Sequence, residues 1–197
     1  FVSDYFHHIS AGNDAKLGKQ CFNQLHVRII HSVKNNRVTI SAGGTYRISG
    51  KLTKGQVVVT GSEKVKLYLD GAEITSPSGP ALVCVNEKRT VLSLAKGTKN
   101  VLTDSADNAE TTESGNNVDA CALFAQDKLT INGSGSLTVN GNYNHGVSSK
   151  DDLTITGGTI AVTAVNDGLK GKDAVQIAGG TITIAAGGDG IQSSNAT

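Results

Sequence analysis

An all-β parallel β-helix, a single-stranded solenoid of coils about 22 residues long, is the fold class that this sequence predicts, and three observations carry it. The first is an internal repeat. Residues 153–174 read LTITGGTIAVTAVNDGLKGKDA, and the next 22 residues repeat them almost column for column. Leu153 recurs as Val175, Gly157-Gly158 as Gly179-Gly180, Ile160 as Ile182, Asp167-Gly168 as Asp189-Gly190 and Leu169 as Ile191. A fixed period of this size marks a solenoid, whose units stack because none can bury its own apolar face alone. The second is alternation: Leu153 and Ile155, then Ile160 and Val162, stand between threonines, which is the period-two pattern of strands. The third is the brevity of the corners, Gly-Gly or Asn-Asp-Gly, which leave no room for a helix between strands.

Taken from its start, the chain opens with residues 1–36, which do not repeat. They hold His7, His8, His26 and His31 and three of the four phenylalanines, without an HExxH or HxH spacing that would bind metal. They read as a separate N-terminal segment, in the place of the cap that the first coil of a solenoid needs. The β-helix itself is expected over residues 37–197. Its first, less regular coils are the runs Val38-Thr-Ile-Ser, Thr45-Tyr-Arg-Ile-Ser, Gln56-Val-Val-Val-Thr, Val65-Lys-Leu-Tyr-Leu and Ala72-Glu-Ile-Thr, parted by Gly43-Gly44, Lys54-Gly55 and Asp70-Gly71. In these runs alternation turns Tyr46 inward with Ile48 and Tyr68 outward between Leu67 and Leu69. Residues 81–94 give a further coil. Residues 103–119 then break the pattern with five acids and almost no apolar side chain, and are expected to leave the solenoid as a long loop. Residues 120–131 return to register. The unit 129–152 fits the repeat with two extra residues, placed in its first turn at Asn132-Gly-Ser-Gly-Ser136.

Composition narrows the function classes. Twenty-four glycines, two prolines and eight aromatic residues describe a turn-rich β protein with a slim aliphatic core. No apolar run is long enough to span a membrane. The net charge of +1 hides an asymmetry: residues 1–100 carry 14 Lys+Arg against 6 Asp+Glu, and residues 101–197 carry 4 against 11. No nucleic-acid motif accompanies the basic half. Cys21, Cys84 and Cys121 lack zinc spacing and read as buried small hydrophobes, with a Cys84–Cys121 bridge as the alternative in an exported chain. The chain reads as a monomeric piece of a longer solenoid.

Four stretches carry a resemblance. They are the run from Val38 through Gly43-Gly-Thr-Tyr-Arg-Ile-Ser-Gly-Lys-Leu-Thr-Lys-Gly-Gln-Val-Val-Val59, Lys66-Leu-Tyr-Leu-Asp-Gly-Ala-Glu-Ile-Thr, Leu94-Ala-Lys-Gly-Thr-Lys-Asn-Val-Leu-Thr-Asp, and Ser149-Lys-Asp-Asp-Leu-Thr-Ile-Thr-Gly-Gly. In that order, over residues 38–197, they resemble a secreted bacterial, calcium-associated β-helix family that binds cellulose and pectic polysaccharide. The resemblance implies a right-handed, pectate-lyase-like solenoid, extracellular, acting as a non-catalytic carbohydrate-binding module. Its alternative is a polysaccharide lyase of the same fold, with a lysine as base and calcium on the uronate carboxylate. The third reading is a structural stalk or adhesin.

Aligning the coils yields the candidate residues. Asp127, Asp151, Asp173 and Asn195 fall in one column, and His145, Asp167 and Asp189 in another, with Asn144 and Asn166 just before the second. An Asn-Asp-Gly turn has a sufficient backbone reason, since Asn and Asp tolerate the left-handed region and bond their own backbone. Repetition in register adds a metal reading, with calcium on Asp151 and Asp173 and on Asn166, Asp167 and Asp189, because acids about 4.8 Å apart repel and need a cation. Lysines offer the other neutralisation, through Lys128, Lys150 and Lys172. For sugar, the candidates are Tyr143, a ring in the Asn-Gly-Asn-Tyr-Asn-His turn, with His145, Lys150, Lys170 and Lys172. An ice-binding surface is disfavoured because the Thr-x-Thr columns are broken at Asn132, Ala178, Asn140, Ala161 and Ala185.

Overall fold

The computed structural model describes residues 32–34, 37–107 and 111–195. Within them the chain winds as a parallel β-solenoid of about 7 turns, about 23 residues per turn, with no helix among the described residues. Of the N-terminal segment only β1 (Ser32–Lys34) is described; it pairs antiparallel with β2 (Arg37–Ile40). The expectation of a cap over residues 1–36 lies, apart from Ser32–Lys34, outside the described residues, as do the four histidines placed there.

Each coil begins with a short strand and continues into a longer, bent one. The short strands are β2, β4 (Gln56–Val59), β6 (Leu82–Cys84), β11 (Cys121–Ala125), β14 (His145–Ser149), β16 (Leu169–Gly171) and β18 (Ile191–Ser193), all parallel in one sheet. The longer path is β3 (Gly44–Leu52), β5 (Val65–Thr75), the pair β7 (Thr90–Leu94) and β8 (Lys99–Thr103), the pair β12 (Leu129–Gly133) and β13 (Ser136–Gly141), β15 (Leu153–Ala164) and β17 (Val175–Ala186). The bend falls on a glycine in every coil: Gly50, Gly71, Gly97, Gly133, Gly158 and Gly180 all have φ between 75° and 106°. Only glycine takes that backbone without a steric penalty.

Registry turns the sequence alternation into ladders. Val38, Val57, Leu82, Leu123, Val147, Leu169 and Ile191 stack as one inward column of the short-strand sheet. Leu67, Leu92, Ile131 and Ile155 form another inside the longer strands. Burying each such side chain contributes about 1.5–3 kcal/mol, and only the neighbouring coils supply the cover. Tyr46 is inside as expected, 1% exposed, with its phenol donating to Ala42 O at 2.6 Å. Tyr68 faces outward and is half-buried beside Arg47.

The core also holds polar side chains that alternation does not announce. Asn100 is buried in the column of Leu137. Its Oδ1 accepts from the backbone N–H groups of Gly71 and Ala72 at 3.0 and 2.9 Å, and its Nδ2 donates to Ser136 O. It thereby satisfies donors freed where β5 bends. Asn86 does the same at another corner, donating to Glu63 O and Lys88 O and accepting from Thr90 Oγ1.

The two extra residues of the fourth coil are split, which corrects the sequence reading. Ile131 pairs with Ile155, but Ser136 pairs with Thr159 and Val147 with Leu169, so the offset falls from 24 to 23 to 22. One extra residue sits in the Asn132–Ser136 corner and the other in the turn that carries Tyr143. The acidic segment after Thr103 is likewise not only loop: β9 (Thr111–Glu113) and β10 (Asn116–Val118) form an antiparallel hairpin. Its two-residue turn, Ser114-Gly115, has φ of 49° and 81°, the primed geometry that matches strand twist.

That hairpin lies against the outside of the short-strand sheet. The outward column runs Thr39, Val58, Val83, Phe124, Ser148, Lys170, Gln192, apolar from Val58 to Phe124 and polar beyond. Val118 joins Val58, Val83, Val85, Cys121 and Phe124 in a second buried cluster, and Glu113 pairs with Arg37. Cys84 and Cys121 are buried and not bridged to each other. Cys84 stands opposite Ala125, four residues along β11 from Cys121, so about 13 Å of strand separates thiols that need Cα atoms within about 7 Å. Burial pushes the Cys84 thiol up to about 12 and Cys121 well above its ordinary value.

Candidate functional site

The short strands β14 and β16 present the predicted site residues at their two ends, and the ends differ. At the entry, the turn of residues 142–144 lifts Tyr143 to 43% exposure, as the extra residue there demands. Directly after it His145 is buried, only 6% exposed. The column of His145, Asp167 and Asp189 forms as expected. His145 Nδ1 lies 3.1 Å from Asp167 Oδ2, and Asp167 Oδ1 accepts the Asp189 N–H at 3.0 Å. Both oxygens of Asp167 are therefore turned to protein groups. Lys170 Nζ stands 3.3 Å from His145 Nε2 on the outer side.

Over the middle of the same strands sits a residue that sequence reasoning missed. Asp119, one residue beyond the hairpin, points its carboxylate at β14. Its Oδ1 receives Lys150 Nζ at 2.5 Å and its Oδ2 receives Ser148 Oγ at 2.7 Å. Burial pushes the Asp119 carboxyl up, but the hydrogen bonds from Lys150 and Ser148 and the charges of Lys150 and Lys170 outweigh it and hold the group below its ordinary value. The available signal was position: Asp119 is the last acid before the apolar run 120–125, where the insertion must rejoin the sheet.

At the exit the acids of the other column stack in the corner of Lys150-Asp151-Asp152 and Lys172-Asp173. Asp173 N–H approaches Asp151 O at 3.5 Å, and Asn195 Nδ2 donates to Asp173 Oδ1 at 3.3 Å. Lys128 reaches up from the coil below, 2.6 Å from Asp152 Oδ2 and 3.5 Å from Asp151 Oδ1. The hydrogen bond to Asp152 and the charges of Asp151 and Asp152 raise the Lys128 ammonium above its ordinary value. Lysine thus offsets part of this ladder, through Lys128, while Lys150 is committed to Asp119 and Lys172 is exposed. Asp173, Asn166 and Asp189 are exposed. Among the described residues no three His, Cys, Asp or Glu side chains are grouped to hold one metal ion.

The geometry brings His145, Asp167, Lys170, Lys150 and the missed Asp119 and Ser148 into one cluster. Asp151, Asp173 and Lys172 stand at the exit corner, next along from Lys150 and at the opposite end of the strands from Tyr143 and His145. Strands stacked coil on coil around one continuous core define a repeat protein of the parallel β-solenoid class. The chain belongs to the family of carbohydrate-binding domain-containing proteins, whose model matches residues 34–197. It is 41% identical over 135 residues to a carbohydrate-binding domain-containing protein of Acetivibrio thermocellus; the match covers 68% of this chain and 47% of that protein, about half the relative's length. The solved structure of the polysaccharide lyase-like protein from C. thermocellum, as a gadolinium derivative, shares the fold with a TM-score of 0.78 and 39% identity. That match covers 85% of this chain and 68% of that one. No described helix is long and apolar enough to cross a membrane.

Proposed function

We propose that this chain is an exported, non-catalytic module that binds plant cell-wall polysaccharide, acidic pectic glycan and cellulose, along the outer side of β14, β16 and their turns. One observation carries the reading: Lys150 and Lys170, on adjacent coils, flank a carboxylate that a lysine ammonium and a serine hydroxyl already hold, and Lys172 stands exposed one coil on from Lys150. Ammonium groups at the inter-strand spacing suit a polymer that repeats a carboxylate, and Tyr143 at the strand entry offers a ring on which a pyranose face stacks. Calcium enters the proposal as an ion shared with the ligand. With Asp167 turned to protein groups, exposed Asp173, Asn166 and Asp189 and half-buried Asp151 would need glycan carboxylates and water to complete a shell of six to eight oxygens.

The lyase reading has the polysaccharide lyase-like neighbour in its favour. Against it, Lys150 is ion-paired with Asp119 and serves as a cation, not a base. Titration calorimetry against polygalacturonate oligomers and cello-oligosaccharides, with calcium and with excess chelator, tests the module. Binding that Tyr143→Ala and Lys172→Gln weaken supports the site, and absence of binding to either glycan leaves a structural stalk. Growth of unsaturated-uronide absorbance on incubation would establish the lyase instead. Equal affinity and melting temperature in calcium and chelator would remove the ion.

A further inference from the structure

The outer column of the short-strand sheet changes character between Phe124 and Ser148, and the insertion changes with it. Below that line the hairpin covers apolar side chains with Val118. At the line it ends, and its next residue, Asp119, occupies the first polar position. There the carboxylate takes one oxygen to Lys150 and the other to Ser148, with Lys170 on the adjoining strand beside Ser148. The Asp119 side chain is 13% exposed and that of Lys150 33%. The contact is therefore not a solvated surface pair but a carboxylate seated in a cradle of one ammonium and one hydroxyl, with a second ammonium next to it. Nothing in the coil repeat requires it. Asp119 belongs to the insertion, whereas Ser148, Lys150 and Lys170 belong to the coils.

We infer that Asp119 is a resident stand-in for the carboxylate of an acidic sugar, holding the Lys150–Ser148 cradle until a uronate displaces it. The inference rests on the reading that this lysine face binds acidic glycan, and it adds a specificity device. The insertion sets the threshold that a ligand anion must exceed, and a neutral sugar, which offers only a hydroxyl to Lys150, does not displace the aspartate. Exchange of one carboxylate for another keeps the ammonium paired throughout, so the cradle never exposes an uncompensated charge.

The test titrates the parent, Asp119→Asn, Asp119→Ala and Lys150→Gln with galacturonate oligomers and with cello-oligosaccharides. Asp119→Asn keeps the shape of the side chain and an acceptor for Ser148, so it answers the question if Asp119→Ala unfolds. Far-ultraviolet dichroism checks each fold. The expected result is galacturonate affinity about tenfold higher in Asp119→Asn, lower in Lys150→Gln, and cello-oligosaccharide affinity unchanged in both. Weaker or equal galacturonate binding in Asp119→Asn, with loss in Lys150→Gln, overturns the stand-in and leaves the binding face intact. Unchanged affinity in every variant overturns both. A gain for neutral and acidic oligomers alike also overturns it, since the insertion would then act as a plain steric cover.

Discussion

The two ends of strands β14 and β16 carry nearly the same chemistry in different surroundings. At the exit, Lys128, 45% exposed, meets Asp151 and Asp152 in water; at the entry and middle, His145, Asp167 and Asp119 are mostly covered. Charges about 4 Å apart attract by roughly 1 kcal/mol in water and several times that where solvent is thinned. Counting acids in a repeat finds both ends but does not tell them apart. Of the two acid columns, the one at the exit is the screened one, and the residue that completes the Lys150–Ser148 cradle lies outside the repeat.

The largest effect that separates the ends belongs to Asp167→Ala. It removes the carboxylate beside buried His145 and the acceptor of the Asp189 N–H, and urea unfolding should show a loss of about 2 kcal/mol. A loss within error of zero would make the two ends equivalent. Next comes acid. Asp119 binds its proton less readily folded than unfolded, so its contribution is complete above the ordinary value of 3.8 and disappears as pH falls through the lower, folded value. The parent should lose stability on acidification below about pH 4, and Asp119→Asn should lose less over the same window. Parallel acid curves for the two proteins would mean that Lys150 and Ser148 do not hold the group. At the exposed end Lys128→Gln should leave the melting curve where it is, since pairs of this kind contribute little; a clear fall would return importance to the acid ladder. The smallest signal is chemical silence. Cys121, beside His145 at the covered end, and Cys84 should not react with a thiol reagent at pH 8 in the native protein, given how far burial raises both thiols. Early labelling of Cys121 would show that the covered end opens on its own.

Much of the coil was legible in the sequence because a solenoid repeats one answer. Alternation placed Tyr46 inside and Tyr68 outside, Gly157-Gly158 and Gly179-Gly180 placed two of the bends, and the period put Asp167 beneath Asp189. What escaped has a common cause. Asn100 and Asn86 sit at core positions where a polar residue looks like an error until the freed backbone donors at the corners are counted. Asp119 lies in an insertion with no register of its own, so no column could hold it. The two extra residues of the fourth coil were detectable as a length, but only pairing could divide them between corners. Tyr143 owes its exposure to that division.

The glycine at every bend makes the solenoid a ruler. Each coil closes by the same means at the same place, so a group on the surface advances by one tick of about 4.8 Å per coil and by nothing in between. Evolution or design can lengthen such a scale by whole coils, inserting one between Asp152 and Leu153, for example, without recutting any mark already on it. Spacing along the axis is thus a counted quantity here, and a polymer laid on this surface would be measured in integers.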